Sequence, residues 1–317
     1  MIKVQKKWKI IGLLFGLSVC LCLSVQVFWP LKVREWKLAL ELKAAEVQSQ
    51  QLGPFHLYSM NHCDPQAAGR GCSCIALLHG VGDSSLAWKS VLLGAAEGIA
   101  RKGISDQLKI FAIDLLGSGQ TPPVEVPSAY RARLQAEQLR AVLASQCQEW
   151  IVVGHEFGGW VASWLALDWP QGVNRLILLN SAGLKVAKQE LKTWLSDPDL
   201  NKLKDFESRA YYRPAPLSQK EWNDLVEYVR RSEVRATLEA QTDDDDLDLK
   251  FRSITRPTLI LWGKEDRVFP LTHAEWMRSL LPGAIYREVA ECGHVPQKEC
   301  PEPVIAAIAD MIKFGSM

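Results

Sequence analysis

The chain has 317 residues, 48% of them hydrophobic and 23% charged, with a formal net charge of +1. That is enough apolar material for one large core and excludes a disordered chain. A near-neutral balance gives no electrostatic footprint for a nucleic-acid partner.

At the N-terminus Lys3, Lys6, Lys7 and Lys9 precede an apolar run from Ile10 to Trp29 in which Gln26 is the only strongly polar residue. As a helix such a run reaches roughly 30 Å, the hydrocarbon thickness of a bilayer. Residues 1–30 are therefore expected to be a single-pass signal anchor. The lysine flank keeps the N-terminus in the cytoplasm and sends the rest of the chain across, although Lys32, Arg34 and Lys37 weaken that bias. Residues 31–52 carry Val33, Trp36, Leu38, Leu40, Leu42 and Val47 at helical spacing and stop at Gly53-Pro54, which predicts a stalk helix.

A globular domain is expected over 53–317. Phe55 to Met60 reads as a strand, and Asn61 to Gly71 as a turn-rich connection. Ser73 to Leu78, Lys109 to Asp114, Glu149 to Val153, Arg175 to Leu179, Pro257 to Trp262 and Ala284 to Val289 are short apolar runs. Helical periods fill Ala129 to Ser145 and Phe157 to Asp168. Apolar strands alternating with helices predict a mostly parallel, doubly wound sheet covered on both faces. Residues 184–256 break the pattern with Trp194, Tyr211, Tyr212, Trp222 and several helical stretches, then the acidic run Asp243 to Asp246. That run lacks the glycine and distal glutamate of a calcium loop, so a solvated acidic edge is expected.

Of the eight cysteines, Cys20 and Cys22 fall in the apolar run, and Cys63, Cys72, Cys74, Cys147, Cys292 and Cys300 lie beyond it. In an oxidising compartment Cys63 could bridge to Cys72 or Cys74, and Cys292 to Cys300, with free buried thiols an equal alternative.

The chemistry concentrates on Ile151 to Trp160, IVVGHEFGGW: an apolar strand, a turn flanked by Gly154 and Gly158, then a helix. This is the context of a nucleophile elbow, with Glu156 where the motif carries serine. His79-Gly80-Val81-Gly82 follows one strand, Gly263-Lys264-Glu265-Asp266 follows another, and Cys292-Gly293-His294 follows the last. On these motifs and their order the chain resembles the α/β-hydrolase family. The resemblance implies that Glu156, Asp266 and His294 form the catalytic set, that backbone N–H groups of Val81 and Phe157 form an oxyanion hole, and that 184–256 is a cap. It implies a small, mainly apolar substrate and neither cofactor nor metal.

Three readings of Glu156 stand at this point. It is a carboxylate nucleophile whose ester is hydrolysed by water activated at His294. Alternatively it is an acid/base group paired with His294. In the third reading the site has lost its nucleophile and the protein is a binding or scaffold domain.

Overall fold

A computed structural model describes residues 38, 40–63, 72–101 and 107–314. Two compact units divide the chain at Val47/Gln48. In the first, residues 40–44 are helical. That helix stops because Glu46 adopts φ 58°, and the N–H groups of Glu46 and Val47 turn back onto the carbonyls of Lys43 and Leu42 at 3.1 and 2.9 Å. This is a 5→2 and 6→1 pair of bonds that satisfies the last turn.

The expected stalk helix therefore does not reach residue 52. Gln48–Leu52 is a strand, β1, paired antiparallel with β2 (Phe55–Asn61) through a tight turn at Gly53, φ 58°. Sheet pairing overrides helical spacing here, and the sheet-bearing unit begins at Gln48 rather than at residue 53. The expected anchor lies outside the described residues. Among the described residues no helix is long and apolar enough to cross a membrane.

The second unit is built on β3 (Ser73–Leu78), β4 (Leu108–Ile113), β5 (Trp150–His155), β6 (Val173–Leu179), β7 (Thr258–Gly263) and β8 (Ile285–Val289) together with the first hairpin. The eight strands run in the order β1-β2-β4-β3-β5-β6-β7-β8. β1, β2 and β4 pair antiparallel and every other neighbour pair is parallel. The central strands are apolar at nearly every position because helices cover both faces, as a parallel sheet requires. Those helices are α1 (Lys89–Arg101), α2 (Ala132–Leu143), α3 (Phe157–Asp168), α8 (Leu271–Leu280), the short α9 (Pro296–Glu299) and α10 (Pro301–Lys313). Helix α3 is buried from Phe157 to Ala166 on all its faces, the signature of a helix at the centre of a core.

Between β6 and β7 the chain inserts α4 (Lys185–Leu195), α5 (Leu200–Ala210), α6 (Gln219–Val229) and α7 (Ser232–Ala240). The acidic run that follows is the expected solvated edge only at Asp243 and Asp244, while Asp245 and Asp246 are buried. Asp245 is fully buried, holds the Arg131 guanidinium at 2.9 Å and accepts the Thr242 N–H, while its carbonyl accepts the indole N–H groups of Trp160 and Trp164. Asp243 and Asp246 both grip Lys188 of α4, at 3.0 and 2.8 Å. The run ties the insertion to α3 and α2.

Three disulfides join Cys63 to Cys72, Cys74 to Cys147 and Cys292 to Cys300. The Cys74–Cys147 link, across 73 residues, was not among the pairings the spacing suggested. It becomes available because β3 lies beside β5 and the end of α2 leads into β5.

The junction of β5 and α3 has no room for side chains at its glycines. A Cβ on Gly154 would lie 2.3 Å from the carbonyl oxygen of Gly158, and one on Gly158 would lie 2.3 Å from that of Leu78. Gly158→Ala should therefore force the helix off the sheet. We expect a loss of about 1–3 kcal/mol, the usual range for overpacking a tight core, read as a lower denaturation midpoint at unchanged m-value. An unchanged midpoint would show that the junction is plastic.

Candidate active site

At the corner between β5 and α3 the chain must reverse direction within one residue, and Glu156 does so at φ 49°, ψ −113°. A non-glycine residue at positive φ is strained, and the strain persists only where its surroundings enforce it. The enforcement is visible in the backbone bonds. The Glu156 N–H reaches the carbonyl of Leu179, and its carbonyl accepts the N–H groups of Gly159, Trp160 and Ala182. The side chain consequently projects from the carboxyl edge of the sheet.

One carboxylate oxygen of Glu156, Oε2, accepts the N–H of Val81 at 2.6 Å, and the N–H of Phe157 also bonds to the carboxylate. Thus both backbone groups expected to form an oxyanion hole face the Glu156 carboxylate, Val81 through a direct hydrogen bond. Oε1 is buried and has no hydrogen-bond partner among the described residues. Gly80 makes this fit possible, because a Cβ there would lie 2.4 Å from Oε2. His79 fixes the loop: its Nε2 accepts the Leu115 N–H at 3.0 Å, so its Nδ1–H donates to the Gly80 carbonyl at 2.7 Å.

His294 and Asp266 come together as the motif order suggested. Nδ1 of His294 lies 2.9 Å from Oδ2 of Asp266, and both side chains are essentially inaccessible. That leaves Nε2 of His294 for chemistry. Asp266 is oriented by the N–H groups of Val268 and Phe269, each 2.8 Å from Oδ1, and by the Asn180 amide, 2.6 Å from Oδ2. Asn180 sits directly after β6 at φ 41° and also accepts the Gly263 N–H. It was missed at the sequence level, although a polar residue closing the strand RLILL at this edge was the signal for it.

The electrostatics of the pair are opposed. Burial strips water from Glu156 and pushes its carboxyl up to about 8, against the pull of the His294 charge and the two N–H donors. For His294 burial acts downward, and Asp266, aided by Glu156 and Glu190, more than offsets it, so the imidazole is raised. His155 is held well below the usual histidine range by burial and by the His294 charge. It is therefore neutral, and its Nε2–H donates to the His294 carbonyl at 2.8 Å. Glu190 of α4 is a further residue that the sequence did not single out; burial and the Asp266 charge lift its carboxyl to about 7.

A cavity of about 110 Å³ opens at this point, lined by Gly80, Val81, Glu156 and His294 from the sheet edge and by Leu203, Phe206, Glu207 and Tyr211 of the inserted segment. Asp83 and Lys298 also line it and form an ion pair at 2.5 Å. The space suits a compact, largely apolar group. Cys292, Glu299 and Cys300 bring three metal-ligand atoms within 4.8 Å of one another, but the two sulfurs are bonded together and both carboxylate oxygens already accept backbone N–H groups. These residues do not fit a metal.

Residues 75–307 match the model of the alpha/beta hydrolase family, and the chain belongs to that family. Over 241 residues it is 26% identical to the dihydrolipoyllysine-residue acetyltransferase component of the acetoin cleaving system of Cupriavidus necator, covering 73% of this chain and 61% of that protein. It is 25% identical to the pimeloyl-[acyl-carrier protein] methyl ester esterase of Nitrosomonas europaea, covering 73% of this chain and 92% of the esterase. Among solved structures, that of a membrane phospholipase A described as a bacterial virulence factor superposes with a TM-score of 0.70 at 21% identity, over 97% of this chain and 98% of that one, a likeness of fold.

The raised Glu156 carboxyl has a consequence for stability. The folded protein holds a proton on it more tightly than the unfolded chain does, so between about pH 4.5 and about pH 8 the folded state binds more protons and stability falls as pH rises. Glu156→Gln removes this loss. Its advantage over the wild type should grow with pH across that window, as read from chemical denaturation midpoints at several pH values, whereas parallel pH profiles would mean that Glu156 titrates normally.

Proposed function

We propose that the protein is a hydrolase in which Glu156 is the nucleophile, His294 the base and Asp266 the group that orients His294. The substrate is a small, mainly apolar molecule with an electrophilic carbon, such as an epoxide, an ester or a thioester. The observation that carries this reading is the unequal treatment of the two carboxylate oxygens: Oε2 is anchored on the Val81 N–H at 2.6 Å, while Oε1 has no partner. A carboxylate held in this way has one oxygen free for attack.

The reaction follows from the geometry. Oε1 forms a bond to the substrate carbon: an epoxide opens with the electron pair left on its ring oxygen and gives a glutamyl ester, whereas an ester or thioester expels its alkoxide or thiolate and gives the mixed anhydride. Nε2 of His294 then takes a proton from water, and the resulting hydroxide attacks the ester carbonyl. Negative charge develops on Oε2, which already accepts the N–H of Val81 at 2.6 Å, so stabilisation needs no rearrangement. Collapse expels the product alkoxide or its equivalent, which recovers the proton from His294, and one oxygen of Glu156 now derives from water. The first step needs the ionised carboxylate, so its rate should rise with pH up to about 8.

A single turnover in heavy-oxygen water tests the scheme. We expect the label in Glu156 rather than in the product, and His294→Ala should accumulate the ester because alkylation needs no base. Label appearing in the product alone would make Glu156 an acid/base group. A protein in which neither Glu156→Gln nor His294→Ala alters turnover of any such substrate, while a ligand still stabilises the fold against heat, is a binding domain.

The same reading includes membrane anchoring through residues 1–30, with the hydrolase domain on the non-cytoplasmic side. It is supported by the lysine-flanked apolar run and by three disulfides, which persist in oxidising compartments. Protease added outside sealed vesicles whose interior is cytoplasmic should digest the domain of the intact protein; protection of the domain would reverse the orientation.

A further inference from the structure

The loop that carries His294 is fastened at both ends and in the middle. Cys292 and Cys300 close it with a disulfide, and Glu299, next to Cys300, sits at the end of α9. The Glu299 carboxylate spans two segments: Oε2 accepts the N–H of Gly293 at 2.7 Å, immediately before His294, and Oε1 accepts the N–H of Arg213 at 2.9 Å, just beyond α5. The inserted segment and the catalytic loop meet again where the His294 N–H reaches the carbonyl of Ala210 at 2.6 Å. Gly293 is pressed so closely between them that a Cβ there would lie 2.4 Å from that same carbonyl. On the acid side, the Arg267 guanidinium, beside Asp266, donates to the carbonyls of Ser208 and Tyr211.

The end of α5 is thus stitched to both loops of the His294–Asp266 pair, and the same helix lines the cavity with Leu203, Phe206, Glu207 and Ala210. Glu299 is the one side chain that bonds the insertion and the His294 loop at once among these contacts. We infer that Glu299 is a positioning residue: its carboxylate, held in register by the Cys292–Cys300 bridge, sets the place of His294 against Asp266 and transmits to it the position of the inserted helices. It does not touch the reacting atoms. The inference rests on His294 being the base of the proposed reaction, and goes beyond it by placing a control point outside the cavity.

Glu299→Gln keeps the shape and one acceptor but removes the second, so one of the two N–H groups is left without its partner. Misplacement of a catalytic group on the ångström scale costs up to about a hundredfold, and loss of one tether of two should lower kcat by about tenfold with KM nearly constant. A merely structural residue could also lower kcat through partial unfolding, so the deciding readout is the ionisation of His294, followed by NMR of nitrogen-15-labelled histidine in the substrate-free protein. The groups acting on His294 are Asp266, Glu156 and Glu190, which raise it, and the neighbouring neutral His155. Loosening His294 from Asp266 should lower its titration midpoint in Glu299→Gln.

Arg213→Pro, on an exposed turn, deletes the other partner's N–H together with the exposed Arg213–Glu291 ion pair at 3.3 Å, and should shift His294 in the same direction. A His294 midpoint that moves in neither folded variant would overturn the inference. The titration uses no substrate, so it stands whether or not Glu156 proves to be the nucleophile; failure of that reading would show instead as wild-type turnover in Glu156→Gln.

Discussion

The architecture depends on one strained residue. Glu156 turns the chain from β5 into α3 at a backbone conformation that L-residues avoid, and the strand, the helix and the loop after β3 are packed so tightly around it that glycine is required at positions 154 and 158. Such strain is tolerated because the core on either side is continuous: β5 is buried at every position and α3 on every face. What the corner yields is a side chain that cannot retreat into the core or swing into solvent. It meets the backbone N–H of Val81 from one neighbouring element while the N–H of Phe157 lies beside it.

The charge placed at that corner explains the unusual electrostatics. A serine there would leave the two N–H groups free for a substrate oxygen, whereas a glutamate supplies an oxygen of its own. Burial makes the carboxylate costly, and the nearby imidazole, held by Asp266, compensates only in part; the result is an acid that gives up its proton near pH 8. A single residue therefore occupies the site where a substrate oxygen would otherwise sit and holds a proton there up to about pH 8.

The insertion between β6 and β7 is fixed to the sheet by charge as well as by apolar packing. Asp245 is buried under two indoles and one guanidinium, and Lys188 is gripped by two aspartates. At its other end the insertion is bonded to the His294 loop through Ala210 and Glu299. Buried pairs of this kind contribute little net stability over apolar residues but are costly to break, and so they specify one seating of the helices over the site.

Much of this was legible in the chain itself. Short apolar runs, each followed by a glycine-bearing loop, determined the parallel sheet, the elbow and the positions of Asp266 and His294, because a strand buried on both faces and a sharp exit turn leave local marks in the sequence. The tertiary structure decided the rest. Helical spacing before Gly53 gave way to a strand at Gln48–Leu52, since an edge partner in β2 outweighs the propensity of five residues. Asp245 and Asp246 became a buried tie while Asp243 and Asp244 stayed at the surface, since the partners Arg131 and Lys188 are 114 and 58 residues away. Asn180, Glu190 and Glu299 gained their roles in the same way, from neighbours brought in across the fold. Nor could the sequence reveal that the Val81 N–H holds Glu156 itself, because that contact joins residues 75 positions apart and depends on a side chain one bond longer than an aspartate's.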